Sequence, residues 1–159
     1  MQIVAGLAAV RAAPGRLQLK RAMSGAWLID DSYNANPSSV QAAIELLASL
    51  EGRRWLVLGD MAELGEFALQ AHVDIGEFAR AAGIERLYAT GALMQSAVDS
   101  FGAGAQWFAE SGVLALALRR ALAGAGAEVR VLIKGSRFNR LERVVDALTG
   151  AAGATTGGH

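Results

Sequence analysis

Hydrophobic and polar positions alternate in blocks along this chain. "GRLQLKR" and "AWLIDD" read as two strands joined by a turn through Ser24-Gly25, a β-hairpin. From Pro37 to about Leu50 the period lengthens, with Val40, Ile44 and Leu47 on one helical face. "RRWLVLGD" is a short buried strand, and Phe67 to Ala82 a second helix closed by Gly83. "ERLYATG" predicts a strand and "ALMQSAVDSF" a helix; "GAQWFAE" is a weaker strand, and "GVLALALRRALAG" a long helix. "EVRVLIKG" is the clearest strand of all, and Asn139 to Leu148 closes the pattern as a helix.

Strands poor in charge that alternate with helical segments of about ten or more residues indicate an α/β fold with a mostly parallel sheet. The handedness of the crossovers then places helices on both faces. The first fifteen residues fit the sheet poorly and read as a short helix and linker, with Pro14-Gly15 as the break. The small-residue tail "GAAGATTGGH", residues 150–159, is expected to be flexible.

Composition narrows the function classes. At 159 residues the chain suits one domain. Fifteen basic and fifteen acidic residues are spread along it, which argues against a nucleic-acid stripe or a cationic membrane helix. Its apolar runs are far shorter than the ~18 residues of a membrane span. The start "MQIVAGLAAVRAAPG" lacks the basic lead and long apolar stretch of a signal peptide. Without cysteine there is no disulfide, thiolate metal site or cysteine nucleophile. A soluble, cytoplasmic domain is the expectation.

Open parallel sheets bind ligands where strands end and helices begin. Three polar loops fall at such points, "DDSYNANP", "GDMAELGE" and "KGSRFN", and the pattern predicts that they share one rim. Successive strand side chains point to opposite faces, so Asp30 and Asp31 cannot act on one site as a pair. One of them faces the rim and the other needs a structural partner. A carboxylate there could accept both hydroxyls of a ribose; for Asp31 and Tyr33 the functional and structural readings stand level. Asn36 before Pro37 has the sequence of a helix cap. Asp60 stays open between the two readings, whereas Glu63 and Glu66 read as acids favouring a helix dipole. Lys134 and Arg137 flank Gly135-Ser136 where a helix is expected to begin, which suggests a site for a phosphate or carboxylate. Arg140 and Arg143 read as a solvated face.

Several chemistries are excluded. The only lysines are Lys20 and Lys134, so there is no G-x-x-x-x-G-K-[ST] phosphate loop. The two histidines, His72 and His159, cannot form a metal cluster, and no metal site is expected in this chain. His72 lies in a helix and reads as a packing or capping residue. No G-x-S-x-G accompanies it.

"PGRLQ", "IDDSYNANP", "VLGDMAELGE" and "IKGSR…LERVV" together resemble the C-terminal domain of Mur ligases, in order and spacing, from about residue 3 to 148. "DDSYNANP" is the most discriminating piece and points to the MurF type, which joins D-alanyl-D-alanine to UDP-N-acetylmuramoyl-tripeptide. The resemblance implies a Rossmann-like third domain over residues 16–149, preceded in 1–15 by a remnant of the central domain's last helix. In that family the third domain closes over ATP and helps to seat the incoming amine. The phosphate loop and the magnesium ligands belong to the central domain. The reaction passes through an acyl phosphate on the UDP-linked peptide.

By the same resemblance, Arg16 would reach the γ-phosphate. Asp31 would hold the ribose, with Tyr33 and Asn36 lining the nucleotide side. Asp60, Lys134, Ser136 and Arg137 would face the D-alanyl-D-alanine substrate. Its partners would be the other two domains of the ligase, and the isolated domain is expected to be inactive. The competing expectation is a free-standing Rossmann-like nucleotide-binding or regulatory module.

Overall fold

The computed structural model describes residues 17–32, 35–136 and 139–150. Arg16, Tyr33, Arg137, the expected N-terminal helix and residues 151–159 of the tail lie outside them. The strands are β1 (Gln18–Arg21), β2 (Trp27–Asp31), β3 (Arg53–Gly59), β4 (Arg86–Thr90), β5 (Ala105–Phe108) and β6 (Val129–Lys134). The helices are α1 (Pro37–Ala48), α2 (Ala68–Ala81), α3 (Met94–Phe101), α4 (Ser111–Ala123) and α5 (Glu142–Thr149).

The strands form one sheet in the order β1-β2-β6-β3-β4-β5. β1 runs antiparallel to β2 as the expected hairpin, and the other pairs are parallel. The sheet is therefore mostly parallel, as the alternating pattern predicts. From β2 the chain steps through β3 and β4 to β5 in one direction, then returns from β5 to insert β6 between β2 and β3. Right-handed crossovers require those two directions of travel to use opposite faces of the sheet.

The packing obeys that rule. On one face Ile29, Leu56, Leu58 and Leu132 meet Ile44 of α1, Ile75 of α2 and Met94 of α3. On the other, Trp55, Val57, Val131 and Ile133 meet Leu118 of α4 and Val144 and Leu148 of α5. Neighbouring residues of one strand, such as Leu56 and Val57, go to different cores because the pleat has a period of two. Each fully buried Leu or Ile contributes about 1.5–3 kcal/mol, so the two faces together hold the sheet in register.

Most element ends fall within a residue or two of the expected ones. One does not. The last helix begins at Glu142 instead of Asn139, because Arg140 takes a left-handed backbone (φ 53°) that cannot continue a helical turn backwards. A 3-10 turn, Gly65–Phe67, also precedes α2.

The topology fixes where a ligand could sit. The helices that follow β2 and β3 lie on one face, and the helix that follows β6 lies on the other. The chain thus leaves β6 in the opposite direction from both neighbours, which opens a crevice at the carboxyl end on either side of it.

Candidate functional site

Strand register brings the three polar loops to one edge. Asp31 of β2 and Leu58 of β3 both lie opposite Lys134 of β6, and Gly59 lies opposite Thr90 of β4. The connections after β2, β3 and β6 therefore leave the sheet side by side.

On the β2 side of β6 stands an ion pair. Lys134 Nζ donates to Asp31 Oδ2 at 2.8 Å. The lysine side chain is only 6% exposed and the aspartate 17%. Asp30 turns the other way and accepts from Lys20 Nζ of β1 at 3.0 Å and from Ser32 Oγ at 2.6 Å. The two adjacent acids thus serve opposite faces, as the pleat requires.

On the β3 side the rim is tied by hydrogen bonds. Asp60, 6% exposed, has no cation beside it among the described ion pairs. Its carboxylate instead accepts the backbone N–H groups of Met94 at 3.0 Å and Leu93 at 3.3 Å. Both lie at the start of α3, where the Met94 N–H is shared with the Gly91 carbonyl at 3.1 Å. Asp60 thus caps the helix that follows the neighbouring strand and meets its dipole with a negative charge. The Asp60 carbonyl accepts from the Ser136 N–H at 3.2 Å. Ser136 Oγ lies 2.7 Å from the same carbonyl and 2.9 Å from Asn139 Oδ1, two acceptors for a single hydroxyl proton. Asn139 lies directly over Gly59, where any side chain would collide with it.

His72, wholly buried in α2, holds the start of the 60s loop. Its Nε2 accepts the Met61 N–H at 3.0 Å, and its Nδ1 lies 2.6 Å from the Ala68 carbonyl. A backbone N–H can only donate, so Nε2 is unprotonated and Nδ1 carries the proton. The neutral ring is a structural clasp, in keeping with a packing or capping role.

The structure corrects one expectation about this rim. No helix begins at Gly135-Ser136: the Ser136 N–H is taken by Asp60, α5 starts at Glu142, and Lys134 is already matched by Asp31. An anion bound by backbone groups at a helix start has no basis there. Asn36 performs the cap its sequence suggests, accepting from the Ser39 N–H at 2.9 Å while Ser39 Oγ accepts from the Asn36 N–H at 3.0 Å. Asp31, Lys134, Asp60 and Ser136 lie along one rim, and Asn36 heads the helix that follows the first loop. Sequence reasoning missed Asn139 and the helix-capping work of Asp60. The one available signal was Gly91, whose close approach to the Asp60 carboxylate leaves no room for a Cβ.

Two cavities of about 310 and 290 Å³ lie at the opposite, amino edge, against the β1–β2 turn and the start of β4. Among the described residues no three metal-ligating side chains gather, and no helix is long and apolar enough to cross a membrane.

Comparison with known proteins agrees with the fold. A family profile described as "Mur ligase, glutamate ligase domain" matches residues 15–137. The UDP-N-acetylmuramoyl-tripeptide--D-alanyl-D-alanine ligase of Escherichia coli K12 is 42% identical over 146 residues, covering 92% of this chain and 32% of its own length. A crystal structure of MurF from Acinetobacter baumannii superposes with a TM-score of 0.79 at 30% identity, over 93% of this chain and 33% of that one. The MurF ligase of Thermotoga maritima in complex with ADP gives 0.76 at 26% identity, over 91% and 32%. The chain spans about a third of the length of these relatives.

Proposed function

The chain belongs to the Mur ligase family, and on that premise we propose that it is the nucleotide- and substrate-facing C-terminal domain of a ligase that adds D-alanyl-D-alanine to UDP-N-acetylmuramoyl-tripeptide. The relatives that carry that activity in their names support the subtype, at 42% identity for the Escherichia coli enzyme. The observation that carries the reading is the Asp31–Lys134 pair beside β6, at the switch point where an open sheet takes its ligand.

Such a ligase depends on positioning and on neutralising phosphate charge. ATP, when bound, supplies the phosphoryl group that turns the peptide carboxylate into an acyl phosphate. The residues on the β2 side suit the nucleoside half: Asp31 keeps some exposure at the crevice mouth and offers a carboxylate to ribose hydroxyls. Lys134 orients that carboxylate from below and adds positive charge where anionic substrate groups arrive. Tyr33 and Asn36 would contact the nucleotide, and Asn36 also caps α1. Ser136 is anchored to the Asp60 carbonyl, and Arg137, the next residue in the chain, would pair with the dipeptide carboxylate. Arg16, whose planar fork can pair two phosphate oxygens, reaches the γ-phosphate when the domains close. Magnesium is held by the parts of the ligase outside this chain.

The direct test is turnover. Supplied with ATP, magnesium, UDP-tripeptide and D-alanyl-D-alanine, the chain alone is expected to release no phosphate; robust turnover would refute the reading that it needs the rest of the enzyme. In the full reading frame, Asp31→Ala is expected to raise KM for ATP severalfold. An unchanged KM removes Asp31 from the nucleotide site.

A further inference from the structure

Away from the rim, the amino ends of β4 and β5 bring together donors that the ligase reading does not use. Arg86 and Tyr88 alternate on β4 and so share a face; register sets Trp55 opposite Arg86 and Gln106 opposite Tyr88. The Arg86 guanidinium lies 4.4 Å from the centre of the Trp55 ring, within cation–π range. Tyr88 is fixed between Trp55, at 6.0 Å between ring centres, and Phe108, stacked at 6.2 Å. Arg86 Nη1 donates to the Tyr88 hydroxyl at 3.2 Å, so that oxygen acts as acceptor and its own proton is directed elsewhere.

Beside these groups lies the cavity of about 290 Å³ lined by Arg86, Tyr88, Gly104, Ala105 and Gln106. Its lining contains an arginine, a phenol only 4% exposed and a carboxamide, and no carboxylate. Among the described residues, Arg86 makes that single hydrogen bond and no ion pair, and neither the Tyr88 proton nor the Gln106 side chain meets an acceptor. The adjacent carboxylate, Glu85, is engaged by Trp55 Nε1 at 2.6 Å and by Arg53 Nε at 3.1 Å. One negative charge therefore faces two arginines, and the local balance is positive. Of these groups only Tyr88 is buried, Arg86 being half-buried and Gln106 exposed, so water reaches the cavity. A ligand that supplies charged oxygen lone pairs can replace that water with stronger, charge-assisted hydrogen bonds.

We propose that this cavity is a second binding site, for a small oxyanion of the carboxylate or phosphate class, held by Arg86, Tyr88 and Gln106. It stands at the opposite edge of the sheet from the Asp31–Lys134 crevice and does not rest on the ligase reading.

The test uses the 159-residue chain. Inorganic phosphate and acetate are titrated at constant ionic strength against sodium chloride, following the amide signals of Arg86, Tyr88 and Gln106 by NMR. Saturable shifts confined to this edge with either anion support the site, and the tighter one names its class. Tyr88→Phe keeps the ring packing and removes one donor, so affinity should fall roughly ten- to a hundredfold, the loss expected for one hydrogen bond to a charged partner. Arg86→Gln should abolish binding, with thermal melts confirming that both variants fold. Shifts no larger than those with chloride, or binding unchanged in Tyr88→Phe, would overturn the proposal.

Discussion

Breaking the Asp31–Lys134 pair one side at a time tests whether the rim is built as described. Lys134 lies deeper, with 6% of its side chain exposed against 17% for Asp31. Asp31→Asn leaves a buried ammonium facing a neutral amide, and removing one partner of a buried pair costs about 3–5 kcal/mol. Partial access of water to the aspartate side puts the expected loss at the low end, about 3 kcal/mol. Lys134→Met leaves the more accessible charge behind and substitutes a side chain that fills the same channel, so about 2 kcal/mol is expected.

The double variant removes both charges and strands neither. Its loss should be about 2 kcal/mol, not the roughly 5 kcal/mol of the two singles added, a coupling of about 3 kcal/mol. Urea unfolding followed by tryptophan fluorescence and by circular dichroism measures all four corners of the cycle. Additivity within about 0.5 kcal/mol would mean that the two groups do not interact, and the account of the β2–β6 crevice would fall.

Other perturbations probe the rest of the frame. Asp60→Ala uncaps α3 and should cost about 1 kcal/mol, the typical loss for a cap, because the Leu93 N–H loses its acceptor while the Met94 N–H keeps the Gly91 carbonyl; amide exchange at Leu93 should accelerate more than elsewhere. Gly91→Ala requires a side chain at φ 110° with its Cβ driven into the Asp60 carboxylate, so a loss of at least about 2 kcal/mol is expected, read as a lowered melting temperature. Glu85 supplies a pH test. Burial raises its pKa, but hydrogen bonds from Trp55 and Arg53 and the charges of Arg53 and Arg86 outweigh that and hold it below the ordinary 4.5. A depressed carboxyl stabilises the fold above its unfolded value and loses that contribution as pH falls through the folded one. Melting temperature should thus drop below about pH 4.5 in the parent chain and less steeply in Glu85→Gln.

Local chemistry and the shared rim of the three loops were legible in the sequence, and the order of the strands was not. The strands declared themselves because parallel strands are buried on both faces and read as short apolar runs. Asn36-Pro37 declared a helix start, and the structure places the cap and the first helical residue there. The opposite loyalties of Asp30 and Asp31 followed from the pleat alone. What could not be read was that β6 inserts between β2 and β3, since nothing in a one-dimensional pattern states strand order. That insertion sets Lys134 against Asp31, 103 positions away in the chain. It also brings Ser136 to the Asp60 carbonyl, and the same sheet lets Asp60 reach the start of α3. Lys134 and Ser136 were therefore read as parts of an anion-binding helix start, when Lys134 pairs with Asp31 of β2 and Ser136 with the loop that follows β3.

That same insertion explains why this rim suits a domain that completes a site instead of enclosing one. Its polar groups are largely committed to one another: Asp60 to α3, Ser136 to Asp60, His72 to Met61, Asn36 to Ser39. Such commitments fix the described residues of the rim before any ligand arrives, and side chains locked in this way need no further ordering on binding. The Asp31–Lys134 pair differs from the rest in joining two charges at the mouth of a switch-point crevice, where an incoming hydroxyl or anion can share them without dismantling a helix cap. A ligand engaging that pair should therefore tighten the β2–β6 edge and leave α3 unaffected. Amide exchange measured on the full ligase with and without nucleotide separates the two regions. Protection that rises around Met94 but not around Asp31 would place the nucleotide on the β3 side of β6 and reverse the assignment.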